Sequence, residues 1–233
     1  MTLLLILACD PMVTEVTMSG LVLDAPANAG NAVADAIVTT LNGGGVLFDD
    51  TTTGDDGGFS VLVPAGAPFF VGVEKEGYVS TSFSGTAGVA DFDAGTGYPW
   101  LATTDWVAEQ RAAWSACASS SDDGVLVVGQ ALAVVTGGSD YTQWPPMPNA
   151  SVVGRGSDGV AHEGCYEDDD GLAAASATGT GNTGMYAVFG LPAGEVVLEV
   201  TAPRGNGEDG TSLFQFVAFE DGLVPVFPTP LSL

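Results

Sequence analysis

The chain has 233 residues, and its 46% hydrophobic content argues against an intrinsically disordered protein, because enough apolar side chain is present to offset the entropy of folding. Its 29 acidic residues against 4 basic ones give a formal net charge of -25, which argues against nucleic acid and anionic lipid as partners. The 33 glycines and 13 prolines favour many short strands joined by tight turns over a helical bundle.

The first element is an uninterrupted apolar run, for which the sequence leaves two interpretations open. As a retained strand it is apolar on both faces, and it would insert into the Ig-like domain of a neighbouring copy by β-augmentation. The residues of this assembly strand are Leu3, Leu4, Leu5, Ile6 and Leu7.

In the second interpretation the same run is a signal sequence that is removed. Ile6-Leu7-Ala8-Cys9 resembles a bacterial lipoprotein box, with cleavage before Cys9 and lipidation of its thiol, although the basic residues that open a signal peptide are missing. Both interpretations place the protein outside the cytoplasm. No apolar run approaches the roughly 20 residues that span a bilayer, so a lipid anchor is the only membrane attachment expected.

Alternating apolar residues predict strands in the first half of the chain. Two such sets would each turn one face toward a core: Phe59, Val61 and Val63, then Phe69, Val71 and Val73. Between them, Val63-Pro-Ala-Gly66 predicts a turn, because proline presets φ and glycine accepts a positive φ.

The stretch between the halves predicts a helix over 104–118, followed by a polar linker that ends at Asp123. Thr104 or Asp105 is the predicted N-cap, and Glu109 lies near the positive end of the helix dipole. The residues predicted to share one helix face and pack on a sandwich are Trp106, Val107, Ala113, Trp114 and Cys117.

The second half repeats the motifs of the first half in the same order, which predicts an internal duplication. Gly20-Leu-Val-Leu-Asp24 corresponds to Val125-Leu-Val-Val-Gly129, and GGFSVLVPAG corresponds to GMYAVFGLPAG. Val196, Leu198 and Val200 alternate as the first-half strands do. The second copy carries insertions near 136–148 and 165–182.

These motifs resemble the carboxypeptidase regulatory-like domain, a transthyretin- or Ig-like sandwich common in secreted bacterial proteins. The resemblance rests on Gly20-x-Val22-x-Asp24, Ala36-x-Val38, Gly58-Phe59, Pro64-x-Gly66 and Glu76-Gly77-Tyr78. It implies Ig/transthyretin-like β-sandwich domains without catalytic residues. With the helix predicted between the copies, the expected fold is an all-β chain of two such sandwiches joined by one short helix. The predicted segments are the apolar segment 1–11, a sandwich over 12–100, helix and linker over 101–123, and a sandwich over 124–233.

Catalytic chemistry is not expected from this sequence. His162 is the only histidine, and no nucleophile-elbow pattern surrounds it, so it is expected to be an exposed loop residue. The cysteines do not have the close spacing of a zinc site. We therefore expect neither an enzyme nor a required cofactor.

Acidic clusters in predicted turns form the one candidate metal site, because calcium favours clustered carboxylate oxygens. Solvated turns are the simpler explanation, since none of the clusters has EF-hand spacing. The acidic residues are Asp49, Asp50, Asp55, Asp56, Glu167, Asp168, Asp169 and Asp170.

Two further pairs of residues complete the candidate sites. Tyr141 and Trp144 lie in an insertion beside prolines and would stack on a sugar ring if they were exposed.

Cys117 and Cys165 are left to form a disulfide if Cys9 has a separate role, with buried free thiols as the alternative.

The sequence therefore predicts a non-enzymatic subunit at a bacterial cell surface. The leading hypothesis is a fibre, pilus-like or surface polymer of identical copies joined by the N-terminal strand. The alternative is a monomeric lipoprotein anchored through Cys9 that acts as an adhesion module and binds a glycan or calcium.

Overall fold

The structure, a computed structural model, describes residues 14–24, 30–117, 124–134, 144–203 and 208–231. The predicted assembly strand Leu3–Leu7, Cys9 and Tyr141 lie outside these residues. Among the described residues, no helix has the length and apolar character needed to cross a membrane.

Strands dominate both halves of the chain. The elements of the first half are β1 (Glu15–Leu23), β2 (Ile37–Asn42), β3 (Leu47–Thr52), β4 (Gly58–Pro64), β5 (Pro68–Glu74), β6 (Tyr78–Val79), β7 (Thr81–Thr86), β8 (Phe92–Trp100) and β9 (Ala102–Thr103). Helix α1 (Thr104–Ala113) follows. The elements of the second half are β10 (Val125–Ala133), β11 (Ser151–Arg155), β12 (Ala161–Glu163), β13 (Cys165–Glu167), β14 (Ala173–Ala174), β15 (Met185–Leu191), β16 (Gly194–Pro203), β17 (Asp209–Ala218) and β18 (Leu223–Leu231).

The two halves repeat one strand topology. In the first half β1 lies between β4 and β8 and is parallel to β8, and the facing strands have the order β3-β2-β5-β7. In the second half β10 lies between β15 and β18 and is parallel to β18, and the facing strands have the order β12-β11-β16-β17. This arrangement confirms the predicted all-β sandwich fold with a short helix. The insertion at 165–182 supplies β13 and β14.

Each half also repeats a close approach of an aromatic ring to a glycine. Gly20 on β1 is paired with Phe59 on β4, and Gly129 on β10 is paired with Tyr186 on β15. In each pair the ring covers the face of the glycine, so that a Cβ at either position would press against it. Gly20 and Gly129 are therefore packing positions within strands rather than turns.

A buried threonine performs the same task in each half. The Thr53 hydroxyl donates to the carbonyl of Val33 (2.7 Å) and accepts from the amide of Ala36 (2.9 Å). In the second half the Thr180 hydroxyl donates to the carbonyl of Met147 (2.6 Å) and accepts from the amide of Ala150 (3.0 Å). Each threonine satisfies backbone groups where the chain enters a strand. The same hydrogen bonds offset the free-energy cost of burying the threonine hydroxyl.

The predicted alternation of core residues is confirmed in three strands. Phe59, Val61 and Val63 lie in the core of the first half together with Phe69, Val71 and Val73. Val196, Leu198 and Val200 lie in the core of the second half. Both faces of β5 are buried, however, because Phe70 points away from the first core and packs in the second.

One nine-stranded sheet runs through both halves, in the order β14-β13-β15-β10-β18-β7-β5-β2-β3. The halves join where β18 lies parallel to β7: Leu223 is paired with Thr81, and its amide donates to the carbonyl of Ser80 (2.8 Å). The sheet β4-β1-β8 and helix α1 cover one face of the nine-stranded sheet, and the sheet β12-β11-β16-β17 covers the other. The prediction of two sandwiches joined by a helix did not include this shared sheet.

Side chains on both sides of this junction hold the halves together. The Ser82 hydroxyl on β7 donates to the carbonyl of Val217 on β17 and so links the two halves. The hydroxyl of the neighbouring Thr81 donates to the carbonyl of Trp100, within the first half. The ring of Phe219 lies directly over Gly72 on β5, in the space that a Cβ would need. The second half therefore packs on the first half at a position where the lack of a side chain at Gly72 leaves space for the Phe219 ring.

Helix α1 differs from its prediction at both ends. Its N-cap is Thr103, whose hydroxyl accepts from the amide of Trp106 (3.2 Å), and the predicted caps Thr104 and Asp105 lie in the first turn. The helix ends at Ala113 instead of continuing to residue 118, and Ala113 itself is exposed. The predicted packing face is otherwise found, since Val107, Trp114 and Cys117 are buried and Trp106 packs beside them.

Substitution of Gly72 tests the junction. We expect Gly72→Ala to lower the free energy of unfolding by about 1–3 kcal/mol, because the added methyl group overlaps the Phe219 ring. Gly88→Ala is the matched control, since a Cβ there meets nothing within 4 Å. Urea unfolding of the two variants provides the comparison.

A double variant identifies the cause of this loss. If the ring is responsible, Gly72→Ala combined with Phe219→Ala is less destabilised than the sum of the single changes. Additive losses would contradict the proposed contact.

Candidate functional site

The disulfide between Cys117 and Cys165 attaches the helical segment to the second half. The structure bonds the two sulfurs, with 6.1 Å between the Cα atoms and 48 positions of sequence separation. Both cysteines are buried in a cluster that combines Trp100, Trp114 and Phe189. The bond therefore lies inside the protein, in the cluster that Cys117, which follows α1, shares with Cys165 of β13 and Phe189 of β15.

An aromatic group joins the end of β8 to the helix. Phe83 contacts Tyr98 and Trp100 edge to face, with ring centroids 4.9 and 5.8 Å apart, and Trp100 contacts Trp106 in the same manner at 5.5 Å. Such pairs favour one orientation of the rings beyond their apolar burial. Phe83 had no role in the sequence analysis, because its ring partners Tyr98 and Trp100 come from a different strand, β8.

Two tyrosines in these packed regions resist ionisation. Burial raises the pKa of Tyr98 to about 12, and its hydroxyl donates to the carbonyl of Ser84 (3.0 Å). Burial also raises the pKa of Tyr166, whose hydroxyl accepts from the amide of Val152 (2.8 Å). Both groups are structural, since each is engaged with backbone of its own sandwich.

One residue of each acidic cluster accepts hydrogen bonds from backbone amides. Asp49 accepts from the amide of Leu62 (2.8 Å), Asp56 accepts from Gly58 (2.9 Å), and Asp168 accepts from Asp170 and Leu172 (both 3.0 Å). Within the described residues, no three His, Cys, Asp or Glu side chains come together in an arrangement that would hold a metal ion.

The location of the acidic residues corrects part of the prediction. Asp49 and Asp50 lie within strand β3, not in a turn, because the strand continues to Thr52. Asp55 and Asp56 lie in the turn before β4, and Asp168, Asp169 and Asp170 follow Glu167, the last residue of β13.

The single histidine and the predicted sugar-binding tryptophan have structural surroundings. His162 lies in β12 and not in an exposed loop, and its Nδ1–H donates to the carbonyl of Phe189 (3.0 Å). Trp144 is half-buried just before the bridge that pairs Leu132 with Pro146. Its predicted companion, Tyr141, lies outside the described residues.

A shallow groove of about 560 Å³ lies at the outer face of the sheet β4-β1-β8 and at Thr51 and Thr52 of β3. Ser19, Ser60 and Asp93 line this groove. Gly20, Gly58 and Gly95 also line it and contribute no side chain. The Asp93 carboxylate is engaged with the amide of Gly95 (2.8 Å), as the Asp56 carboxylate is with Gly58. The groove is polar and lacks an aromatic platform for a sugar, since Phe59 at its base belongs to the core.

The remaining candidate for an interaction is the outer edge of β17. This ten-residue strand pairs with β16 without a register shift, from Asp209 opposite Pro203 to Ala218 opposite Gly194. No other strand borders it in the sheet order of the described residues. The sequence analysis did not single it out, because an edge is defined only when the neighbouring strands are known.

Comparisons with known proteins yield structural likenesses alone. Neither family models nor curated protein sequences match the chain. The resemblance to carboxypeptidase regulatory-like domains therefore stays a prediction.

Among solved structures, the Bacillus anthracis TIE protein aligns over 94% of this chain with 13% identity and a TM-score of 0.32, and this chain spans 34% of its length. GBS52, the minor pilin of Streptococcus agalactiae, aligns over 93% of this chain and 94% of its own, with 11% identity and a TM-score of 0.30. The shaft pilin SpaA of Lactobacillus rhamnosus GG aligns over 91% and 96%, with 12% identity and a TM-score of 0.27. Likenesses this low do not transfer a function.

Removal of the disulfide tests its contribution to stability. Cross-linking residues 48 positions apart restricts the unfolded chain by about 4 kcal/mol in the chain-entropy account, and measured losses are commonly about 2–5 kcal/mol. We expect the double variant Cys117→Ala/Cys165→Ala to lose stability in that range in urea unfolding. Added reductant is the control: it should destabilise the wild type and leave the variant unaffected, and equal stability without reductant would contradict a stabilising bond.

Alkaline titration tests the burial of Tyr98. Because its folded pKa of about 12 exceeds the ordinary value of 10.0, the unfolded chain loses this proton first as the pH rises. The stabilising contribution is complete below pH 10 and disappears as the pH approaches 12. The free energy of unfolding of the wild type should therefore fall more steeply over this range than that of Tyr98→Phe. Parallel curves would show that Tyr98 is solvated.

Proposed function

We propose that the chain is a non-enzymatic, extracellular structural subunit that polymerises at a bacterial cell surface, with its N-terminal strand Leu3–Leu7 inserted into a neighbouring copy. The observation that carries the extracellular location is the buried disulfide between Cys117 and Cys165. Structural disulfides persist in oxidising compartments and are rare in the cytosol.

The construction of the two halves supports a structural role. Because one sheet passes through both halves and the disulfide fastens the helical segment between them, a force on one half is transmitted through hydrogen bonds and packed rings. A flexible linker between separate domains would not transmit it in this manner. This continuity suits a subunit that must keep its shape within a polymer.

Charge supports assembly through the N-terminal segment. With a net charge of -25, two copies repel each other over most of their surface, so non-specific association is suppressed. The segment from Met1 to Ala8 contains no charged side chain. It is therefore a part of the chain that can approach another copy without adding to this repulsion.

The second candidate function is a monomeric lipoprotein anchored through Cys9. The pairing of Cys117 with Cys165 favours it, because Cys9 is then the one cysteine of three that has no intrachain cysteine to bond. A lipid on this thiol would hold the same rigid body at a membrane surface.

The mass of the N-terminal peptide from native cell-surface protein distinguishes the two functions. We expect an unmodified peptide that retains Leu3–Leu7, because an assembly strand has to remain in the mature chain. A peptide that begins at a diacylated Cys9 would contradict the polymer and establish the lipoprotein.

A further inference from the structure

The edges of the three large sheets differ in how they are protected from pairing with another strand. Exposed edges commonly carry charges, prolines, bulges or very short strands, because an unprotected edge pairs with other chains. Strand β3 carries Asp49 and Asp50 and has a register shift against β2. Strand β4 ends at Pro64, β8 contains Asp93 and Pro99, and β12 and β14 are short.

Strand β17 has none of these protections over most of its length. No charged residue or proline occurs between Gly210 and Phe219, and the pairing with β16 is uninterrupted. Leu213, at its centre, is 69% exposed. In a chain with 29 acidic residues, an uncharged edge of this length is an exception.

Two hydrogen bonds indicate which backbone groups of β17 face away from β16. The carbonyl of Val217 accepts from Ser82 on β7, which places it on the side away from β16. Backbone direction alternates along a strand, so Thr211, Leu213 and Gln215 also direct their N–H and C=O groups outward. The Thr211 and Thr201 hydroxyls lie 3.0 Å apart, which agrees with the close approach of side chains in a non-hydrogen-bonded pair.

These outward groups form an open row of donors and acceptors. Within the described residues, no strand pairs with this side of β17. In the part of the chain that the structure describes, this side of β17 is covered near Val217, where it meets β7 and where Gly45 approaches the Val217 side chain. The row from Thr211 to Gln215 is therefore long enough to receive a five-residue strand.

We propose that this edge is the acceptor for the N-terminal strand Leu3–Leu7 of a second copy, an inference that rests on the proposed function. A strand added beside β17 contacts Leu213 on the outer face and the half-buried Phe214 on the inner face. An apolar side chain on each face, which Leu3–Leu7 offers, would therefore pack on both of these residues. The added strand must also lack acidic side chains, which the field of this chain would repel.

The proposed contact generates an open polymer. The donor is the N-terminal segment of one copy and the acceptor is β17 of the next, so the interface joins two different surfaces. A contact of this kind leaves one donor and one acceptor unused at the ends and continues without closing unless its rotation forms a ring. The backbone hydrogen bonds provide affinity, and the apolar side chains on both faces provide selectivity.

Substitution of Leu213 with a matched control tests the acceptor. We expect Leu213→Lys to weaken self-association of the full-length chain by about tenfold or more, because lysine on an edge opposes pairing. Leu172→Lys is the control, since Leu172 is 66% exposed and lies in the turn before β14, away from β17. Sedimentation velocity over a wide range of concentrations measures assembly, and thermal unfolding verifies that each variant is folded.

A third variant, Leu5→Lys, identifies the donor and separates the inference from the proposed function. Loss of assembly in both Leu213→Lys and Leu5→Lys, with normal assembly of Leu172→Lys, would support both. Loss in Leu5→Lys alone would keep the N-terminal strand as donor and overturn β17 as its acceptor. Loss in Leu213→Lys alone would show that another segment occupies the edge and overturn the choice of donor. A wild-type chain that stays monomeric throughout would overturn the inference and the proposed polymer together.

Discussion

The pairing of β18 with β7 is the contact on which the architecture depends. It is brief, with Leu223 opposite Thr81, yet it makes one nine-stranded sheet out of strands from both halves. Each face of that sheet is then covered by a different part of the chain. Phe70 shows the consequence, since it belongs to a first-half strand and packs in the second-half core. Neither half can be described as a closed sandwich that would keep all its apolar surface buried alone.

Glycines leave space for aromatic rings in this packing, and buried threonines satisfy backbone hydrogen-bonding groups. Gly72 leaves space for the ring of Phe219 at the junction, and Gly20 and Gly129 accept an aromatic ring within each sandwich. Thr53 and Thr180 satisfy backbone groups that the tight entry into a strand would leave buried without partners. The same two devices occur in both halves, which is the structural counterpart of the duplicated sequence.

Charge and backbone geometry together distinguish the outer edge of β17 from the other sheet edges. The net charge of -25 keeps most of the protein apart from other copies, and carboxylates along β3 protect that edge in the manner usual for sheet proteins. Asp56 and Asp168 each accept hydrogen bonds from nearby backbone amides. Strand β17 differs from β3, because its edge between Gly210 and Phe219 has no charged side chain and its outward backbone N–H and C=O groups have no neighbouring strand in the described sheet order.

The sequence by itself determined the local elements of this protein. Period-two alternation identified the core faces of β4, β5 and β16, and the repeated motifs identified the duplication, because both signals are carried by neighbouring residues. The candidate helix was located from its apolar face, but its cap at Thr103 and its end at Ala113 were missed, since several residues there have similar capping and helical tendencies. The pairing of Cys117 with Cys165 was one of two alternatives, because composition does not show whether two thiols meet.

Only the tertiary structure decided how the halves are joined and which edge is open. Leu223 and Thr81 are far apart in the chain, and no local pattern marks a single parallel pair between them. The open edge at Leu213 likewise depends on the absence of a strand beside β17 in the described sheet order, which the strand's own residues do not encode. The placement of Asp49 in a strand instead of a turn has the same origin, since its carboxylate meets the amide of Leu62 across the sandwich. Alternation along a strand reports which face is buried, whereas the neighbours of that strand are set by contacts between distant segments.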